Sequence, residues 1–423
     1  MKKFITFLLV LQGLVVRAQI PDHIYKPNIA SVKLFKYGDI YSYPVMTLNG
    51  SEQFELHFDD LDGDVKNYYY TYQLCNADWS PCSLQPYDYI RGFQTTRINT
   101  YRHSSIAYTR YTEFEAVIPD RSCVPTRSGN YLLKVFLNSD TSNVVFTKRF
   151  LVIDNKASIA AQVLEPFNGQ LFNTHQRVQV GITTNPQVNA FTPQDLKVVI
   201  VQNNVWPTAQ LNDRPDIFRG NYYEYNNEAT TTFEAGKEWR WLDLRSLRLM
   251  SDRMQRLDTR SNPVEVVVKP DIDRRQQAYI YYQDLDGIFT IESSESVNPY
   301  WQGDYALVHF TFVPSGNRAY EGRNVYIFGE LTNYTPDDSS KMIFNPDKGV
   351  YERTLFLKQG YYNYSYVTTP DKKQQDRNVS FESTEGNYYG TENNYTVLVY
   401  FRPFGARADE LIGYTKINSL LQR

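Results

Sequence analysis

The chain has 423 residues, room for two to four domains of about 150 residues each. Lys+Arg 44 against Asp+Glu 47 leaves a formal net charge of −3, with no basic block and no acidic tail, so a nucleic-acid binder's electrostatic footprint is missing. Tyr 35 and Phe 24, with Gly 21 and Pro 20 spread evenly, point to many short strands and turns rather than long helices.

Lys2 and Lys3 precede a mostly apolar run from Phe4 to Val16, and Val16-Arg17-Ala18 sets small or aliphatic residues before a cut at Gln19. The run is shorter than the ~20 residues a spanning helix needs, so residues 1–18 are expected to be a cleaved secretory signal. No Cys stands at the cut, which argues against a lipid anchor. No later stretch is long and apolar enough to span as a helix, and the strands lack the regular ~10-residue apolar bands of a membrane barrel. The mature chain is therefore expected to be soluble, or held at a membrane by a partner.

Residues 19–30, with Pro21 and Pro27, read as an arm. Strand signals begin at Ser31-Val32-Lys33-Leu34-Phe35. Phe54, Leu56 and Phe58 alternate with Glu55 and His57, the pattern of a half-buried strand. The acidic loop Asp59 to Asp64 resembles a calcium loop, but counted from Asp60 its sixth position is Val65 and its twelfth Thr71, where an EF-hand needs Gly and Glu. A solvated turn is expected instead.

Tyr68, Tyr70, Tyr72 and Leu74 then alternate with Tyr69, Thr71 and Gln73, giving a strand with one aromatic face. It breaks at Cys75-Asn76-Ala77-Asp78-Trp79, where Asn and Asp favour a turn. Tyr87, Tyr89 and Phe93 follow in a segment too polar to be core throughout. The whole stretch reads as an aromatic-rich loop on a β-scaffold. Trp79, Tyr87, Tyr89 and Phe93 are candidate partner-binding residues, because Tyr and Trp are enriched at binding hot spots. The rings fill the rim of a sandwich equally well. For Trp79 the Asn-Ala-Asp turn favours a ring folded back onto Tyr70 and Tyr72, which makes Tyr87, Tyr89 and Phe93 the better contacts. Cys75 and Cys82 could pair across this loop in an oxidising compartment, and buried free thiols fit the sequence as well. With Ser128 to Phe136 and Val144 to Ile153 as paired strands, residues 19–155 are expected to form an immunoglobulin-like sandwich.

Asp154-Asn155-Lys156 marks a composition break. Strand signals at Val178 to Ile182, Leu196 to Val201, Phe233 to Leu242, Val264 to Val268, Ala278 to Tyr282 and Ala306 to Phe312 predict a second sandwich over residues 156–318. Within it, Trp239 and Trp241 share a face if extended, and Arg245, Arg248, Arg253 and Arg256 form a basic run expected to be a solvated face. Residues 319–405 carry strands at Asn324 to Gly329, Gly349 to Leu357, Tyr361 to Val367 and Tyr395 to Phe401. This order resembles the early-set sandwich of glycogen-binding modules. The Trp common after the first of those strands is Tyr334 here, so the fold is expected without sugar binding. Residues 406–423 read as a tail. The fold class is all-β: three consecutive immunoglobulin-like or early-set β-sandwich domains after a signal peptide.

Catalytic signatures are missing. His23, His57, His103, His175 and His309 are scattered, none at metal-ligand spacing, and there is no H-E-x-x-H, no G-x-S-x-G and no phosphate-cradling loop. No catalytic residue, metal site or cofactor is predicted, and an enzyme is not expected.

Long strings carry the functional reading. CNADW at Cys75–Trp79, YDYIRGF at Tyr87–Phe93, SGNYLLKVF at Ser128–Phe136, FEAGKEWRWLDLRS at Phe233–Ser246, LKQGYYNYSYV at Leu357–Val367 and EGNYYGTENNYTVLVYFR at Glu385–Arg402 resemble, in the same order, the type IX secretion plug family of Bacteroidota. The resemblance implies a non-enzymatic periplasmic protein. Its partner would be the giant outer-membrane β-barrel translocon, whose periplasmic mouth it seals when no substrate is engaged. It supplies no residue-level contacts. A carbohydrate-binding envelope protein is the alternative, favoured by the third domain, and a secreted cargo of the same system is a further one.

Overall fold

The computed structural model describes residues 20–371 and 379–421, so the expected signal at 1–18 lies outside the described residues. Strands dominate, as the aromatic and β-branched content leads one to expect. Among the described residues the two α-helices, Glu228–Thr231 and Pro299–Gln302, are single turns capped by Asn227 and Asn298.

The first pair of sheets sets Ile29–Lys36, Phe54–Asp60, Thr112–Ile118 and Thr100–His103 against Val45–Thr47, Val144–Ile153, Gly129–Leu137, Tyr68–Cys75 and Thr96–Arg97. Alternation explains the core: Leu56 and Phe58 from one sheet meet Tyr68, Tyr70, Tyr72 and Leu74 from the other, with Phe114 and Phe150 between them. Phe54–Asp60, expected to be half buried, is covered on both faces: His57 and Asp59 are buried as well. The covering layer comes from a later part of the chain, described below.

Strand pairing runs across the expected limits at 318 and 405. The second pair of sheets joins Ala157–Leu164, His175–Thr184, Tyr222–Tyr225 and Ile217–Arg219 to Gln210–Asn212, Leu196–Gln202, Asn394–Phe401 and Glu410–Asn418. Here Leu196 lies opposite Phe401 and Gln202 opposite Tyr395, and the expected tail supplies the next strand, with Asn394 opposite Asn418. Tyr395 to Phe401 is apolar but for Thr396 and buried on both faces, so it takes the centre of a sheet, between two partners.

Between these halves the chain leaves and builds a third pair of sheets. One holds Arg240–Asp243, Tyr361–Pro370, Phe289–Thr290 and Arg323–Phe328; the other holds Met254–Asp258, Val264–Val268, Tyr305–Val313, Val350–Lys358 and Ile343–Asn345. Tyr305 lies opposite Lys358, so residues on both sides of the expected limit at 318 share one sheet. The expected strand Phe233 to Leu242 is split: Thr232–Glu234 pairs in the second unit and Arg240–Asp243 in the third, with Gly236 at φ +62 between them. Trp239 and Trp241 therefore do not share a face. Trp239 stacks on Phe328, while Trp241 meets Tyr282 edge-on. Ala278 to Tyr282 is irregular; Ile280 is exposed, and the Tyr279 and Tyr282 hydroxyls bond the Glu238 side chain and carbonyl.

Candidate partner-binding surface

The aromatic stretch is built on Tyr68–Cys75, whose Tyr72 lies opposite Leu133 in the sheet. At the strand end the chain turns, Trp79 N–H donating to the Asn76 carbonyl at 2.9 Å, and Trp79 adopts φ +64. Its ring does not fold back onto Tyr70 and Tyr72. It meets Trp206 edge-on at 4.9 Å, and the Arg149 guanidinium lies 4.8 Å from its centroid and 5.2 Å from that of Trp206. Trp79 thus sits in a seam between the first and second units, beside Leu151, Val199 and Tyr400. Tyr89 is 3 % exposed and belongs to the first core, its hydroxyl reaching the Tyr72 carbonyl. Both residues lie under the surface, Trp79 because Trp206 arrives from far along the chain and Tyr89 because its turn points inward.

Tyr87 and Phe93 are each 70 % exposed. Their backbone is held firmly. The Asp88 carboxylate accepts from Gln85 N–H at 2.9 Å, and Arg127 Nε donates to the Asp88 carbonyl at 3.0 Å. Ile90–Gly92 pairs with Cys123–Pro125, and Phe93 N–H donates to the Ser122 carbonyl at 2.6 Å. Gly92 has φ +94, and a Cβ there would lie 2.1 Å from the Ser122 oxygen, so only glycine lets the two short strands approach. Cys75, Cys82 and Cys123 are free thiols, and burial pushes Cys75 up to about 12 and Cys123 up to about 11.

Among the exposed rings that escaped the sequence reading, Phe191 (71 % exposed) and Phe404 (89 %) meet edge-on at 5.9 Å. The signal was present in Pro403-Phe404-Gly405, an apolar ring between two turn formers.

Buried charge pairs lock the units together. Between the first and third, the Lys358 ammonium bonds Asp59, the Tyr305 hydroxyl donates to Asp59 at 2.5 Å, and Lys33 donates to Glu330 at 2.5 Å and to the Phe289 carbonyl at 2.7 Å. Burial raises Asp59 to about 6 despite the pull of Lys358, and burial lowers Lys33 against the opposing charge of Glu330. His57 stacks on Tyr300 at 3.9 Å and bonds Glu113 at 2.8 Å; burial pulls its imidazole down, but hydrogen bonds to Glu113 and Glu55 lift it to about 9. Between the first and second, buried Asp409 accepts from Ala77 N–H at 3.0 Å, and Arg402, paired with Asp409 inside the second unit, donates to the Asn76 side-chain oxygen at 2.7 Å. Within the third, Arg240 bridges Asp271 and Glu385; burial opposes ionisation of Glu385, but the Arg240 and Arg274 charges hold it down at about 2.

The acidic loop carries its own cation: Lys66 Nζ lies 2.6 Å from Asp60, 2.6 Å from Asp62 and 2.9 Å from Asp64. In the basic run, Arg245, Arg248 and Arg256 face solvent, whereas Arg253 turns inward to Asp271. Tyr334 packs edge-on against Phe328 at 5.7 Å and Trp239 at 6.4 Å, so its ring is not displayed as an open sugar platform. Among the described residues no helix is long and apolar enough to cross a membrane.

Residues 29–154 match the family model described as the Type 9 secretion system plug protein 1st domain. Among solved structures, a crystal structure of a hypothetical protein from Parabacteroides merdae ATCC 43184 at 2.30 Å resolution is similar with a TM-score of 0.89 and 31 % identity, covering 95 % of this chain and 100 % of that one. No curated protein matches.

Proposed function

We propose that this chain, which belongs to the type 9 secretion system plug family, binds the periplasmic mouth of that system's outer-membrane β-barrel translocon and seals it when no substrate is engaged. A wide aqueous pore left open would dissipate the permeability barrier, and closing it calls for a stiff body and a docking surface rather than for a reaction. The observation that carries this reading is the set of desolvated ion pairs between the units, Asp59 with Lys358 and Lys33 with Glu330. Removing one partner of such a buried pair strands the other's charge at a cost of about 3–5 kcal/mol, so these matched charges couple the first unit to the third. Tyr87 and Phe93 are the docking rings of the original aromatic stretch, with Trp79 and Tyr89 fixing the loop from beneath. Export by cleavage after Ala18 belongs to the same reading, with the membrane reached only through the partner.

The test is deletion of the protein, with the translocon verified at normal level. Entry of a large antibiotic should rise while secretion continues, because a stopper is needed when the pore is idle. Unchanged permeability overturns the reading.

A further inference from the structure

We infer that loops of the first and second units form one docking face, carrying Tyr87, Phe191 and Phe404 among exposed arginines, that receives an acidic, protruding protein loop of the translocon. This rests on the plug reading above and adds to it where on the molecule contact is made and with what chemistry.

Three observations place these loops together. Arg407 lies 3.6 Å from the Asp88 carboxylate, next to Tyr87, and Ser83 Oγ donates to the Arg407 carbonyl at 3.4 Å. Phe404, three residues before Arg407, meets Phe191. Between the two units lies a pocket of about 190 Å³, walled by Leu84, Arg127 and Ser128 on one side and by Gly405 to Glu410 on the other.

Charge selects the occupant. Arg91, Arg97, Arg121, Arg127 and Arg407 are exposed in segments 83–97, 119–128 and 402–410, against Asp120 as the one fully exposed acid there, with Asp88, paired to Arg407, and Glu410 partly exposed. The chain as a whole is net negative at −3, so this cationic end stands out from it and fits an acidic surface. All these cations are arginines, whose planar fork pairs with carboxylates in two bonds, and exposed Tyr with Arg is the composition of protein hot spots. Shape decides against a lipid surface. A bilayer accepts protruding rings but cannot fill a concave pocket between two units, whereas a loop can.

The experiment measures binding of the mature chain to the purified translocon barrel in detergent, and separately to vesicles of phosphatidylethanolamine and phosphatidylglycerol. Phe191→Ala/Phe404→Ala and Arg91→Glu/Arg121→Glu are compared with wild type and with Ile343→Ala, an exposed site on the third unit. Each double variant should weaken barrel binding about tenfold or more, added salt should weaken wild-type binding, and Ile343→Ala should bind normally. If wild type binds the barrel and both double variants bind equally well, this face is wrong while the plug reading stands. If wild type does not bind the barrel, the plug reading fails and this face with it. Vesicle binding that the double variants abolish would assign the face to lipid instead. A fall in the variants' melting temperature would show that these rings hold the fold, which overturns their assignment as docking residues.

Discussion

Lys358→Met probes whether the first and third units are truly locked. Lys358 is 1 % exposed; its ammonium bonds Asp59, donates to the Tyr300 carbonyl at 2.5 Å and lies 4.1 Å above the Tyr111 ring. Met keeps most of the apolar stem but strands the Asp59 carboxylate, left with the Tyr305 hydroxyl. Removing one partner of a buried pair costs about 3–5 kcal/mol. Asp59 can escape part of this by taking a proton. Burial already raises it to about 6, and without Lys358 it rises further. A carboxyl whose folded pKa lies above its unfolded value loses stability as pH rises from the unfolded pKa toward the folded one, so the deficit should be larger at pH 7.5 than at pH 5. Asp59→Asn/Lys358→Met should recover to within about 1–2 kcal/mol of wild type, because no charge is then left alone. Denaturant unfolding followed by Trp fluorescence reads the junction directly: Trp301 lies within it, its carbonyl accepting from Ser105 N–H at 2.8 Å. A deficit below about 1 kcal/mol, equal at both pH values, would mean that Asp59 is hydrated and the junction open in solution. The first and third units would then be free to move apart.

Three other outcomes are expected. Trp79→Ala should cost about 2–3 kcal/mol, since the half-buried ring loses its partner Trp206 and the Arg149 contact; Trp79→Gly should be milder by about 1 kcal/mol because φ is +64, and an equal or worse Gly variant in thermal melts would contradict the turn geometry. His57, lifted to about 9, contributes stability that is complete below pH 6.5 and is lost between pH 6.5 and 9, about 3 kcal/mol in all; melting temperature should fall over that window, and His57→Gln should flatten the slope. Glu385, held at about 2, contributes stability present above pH 4.5 and lost as pH falls toward 2; acid titration by circular dichroism should show this loss in wild type and not in Glu385→Gln.

Much was legible along the chain. The alternation of Tyr68, Tyr70, Tyr72 and Leu74 marks a strand and names its buried face, because side chains on a strand must alternate. The turn chemistry after Cys75, the failure of the calcium pattern at Val65 and Thr71, and the long strings that resemble the plug family are likewise properties of neighbouring residues. What neighbouring residues could not say is who covers whom. Tyr395 to Phe401 is apolar on both faces, so no periodicity shows that its partner is Leu196–Gln202. Trp79 looks like a loop ring until Trp206 reaches it, and His57 and Asp59 look solvent-facing until Tyr300 and Lys358 arrive. The exposed end carrying Tyr87, Phe191 and Phe404 likewise gathers loops from distant parts of the chain. Covalent neighbours determine which face of a strand is apolar. The choice of what buries that face is made by surfaces brought together only on folding, and no local pattern encodes it.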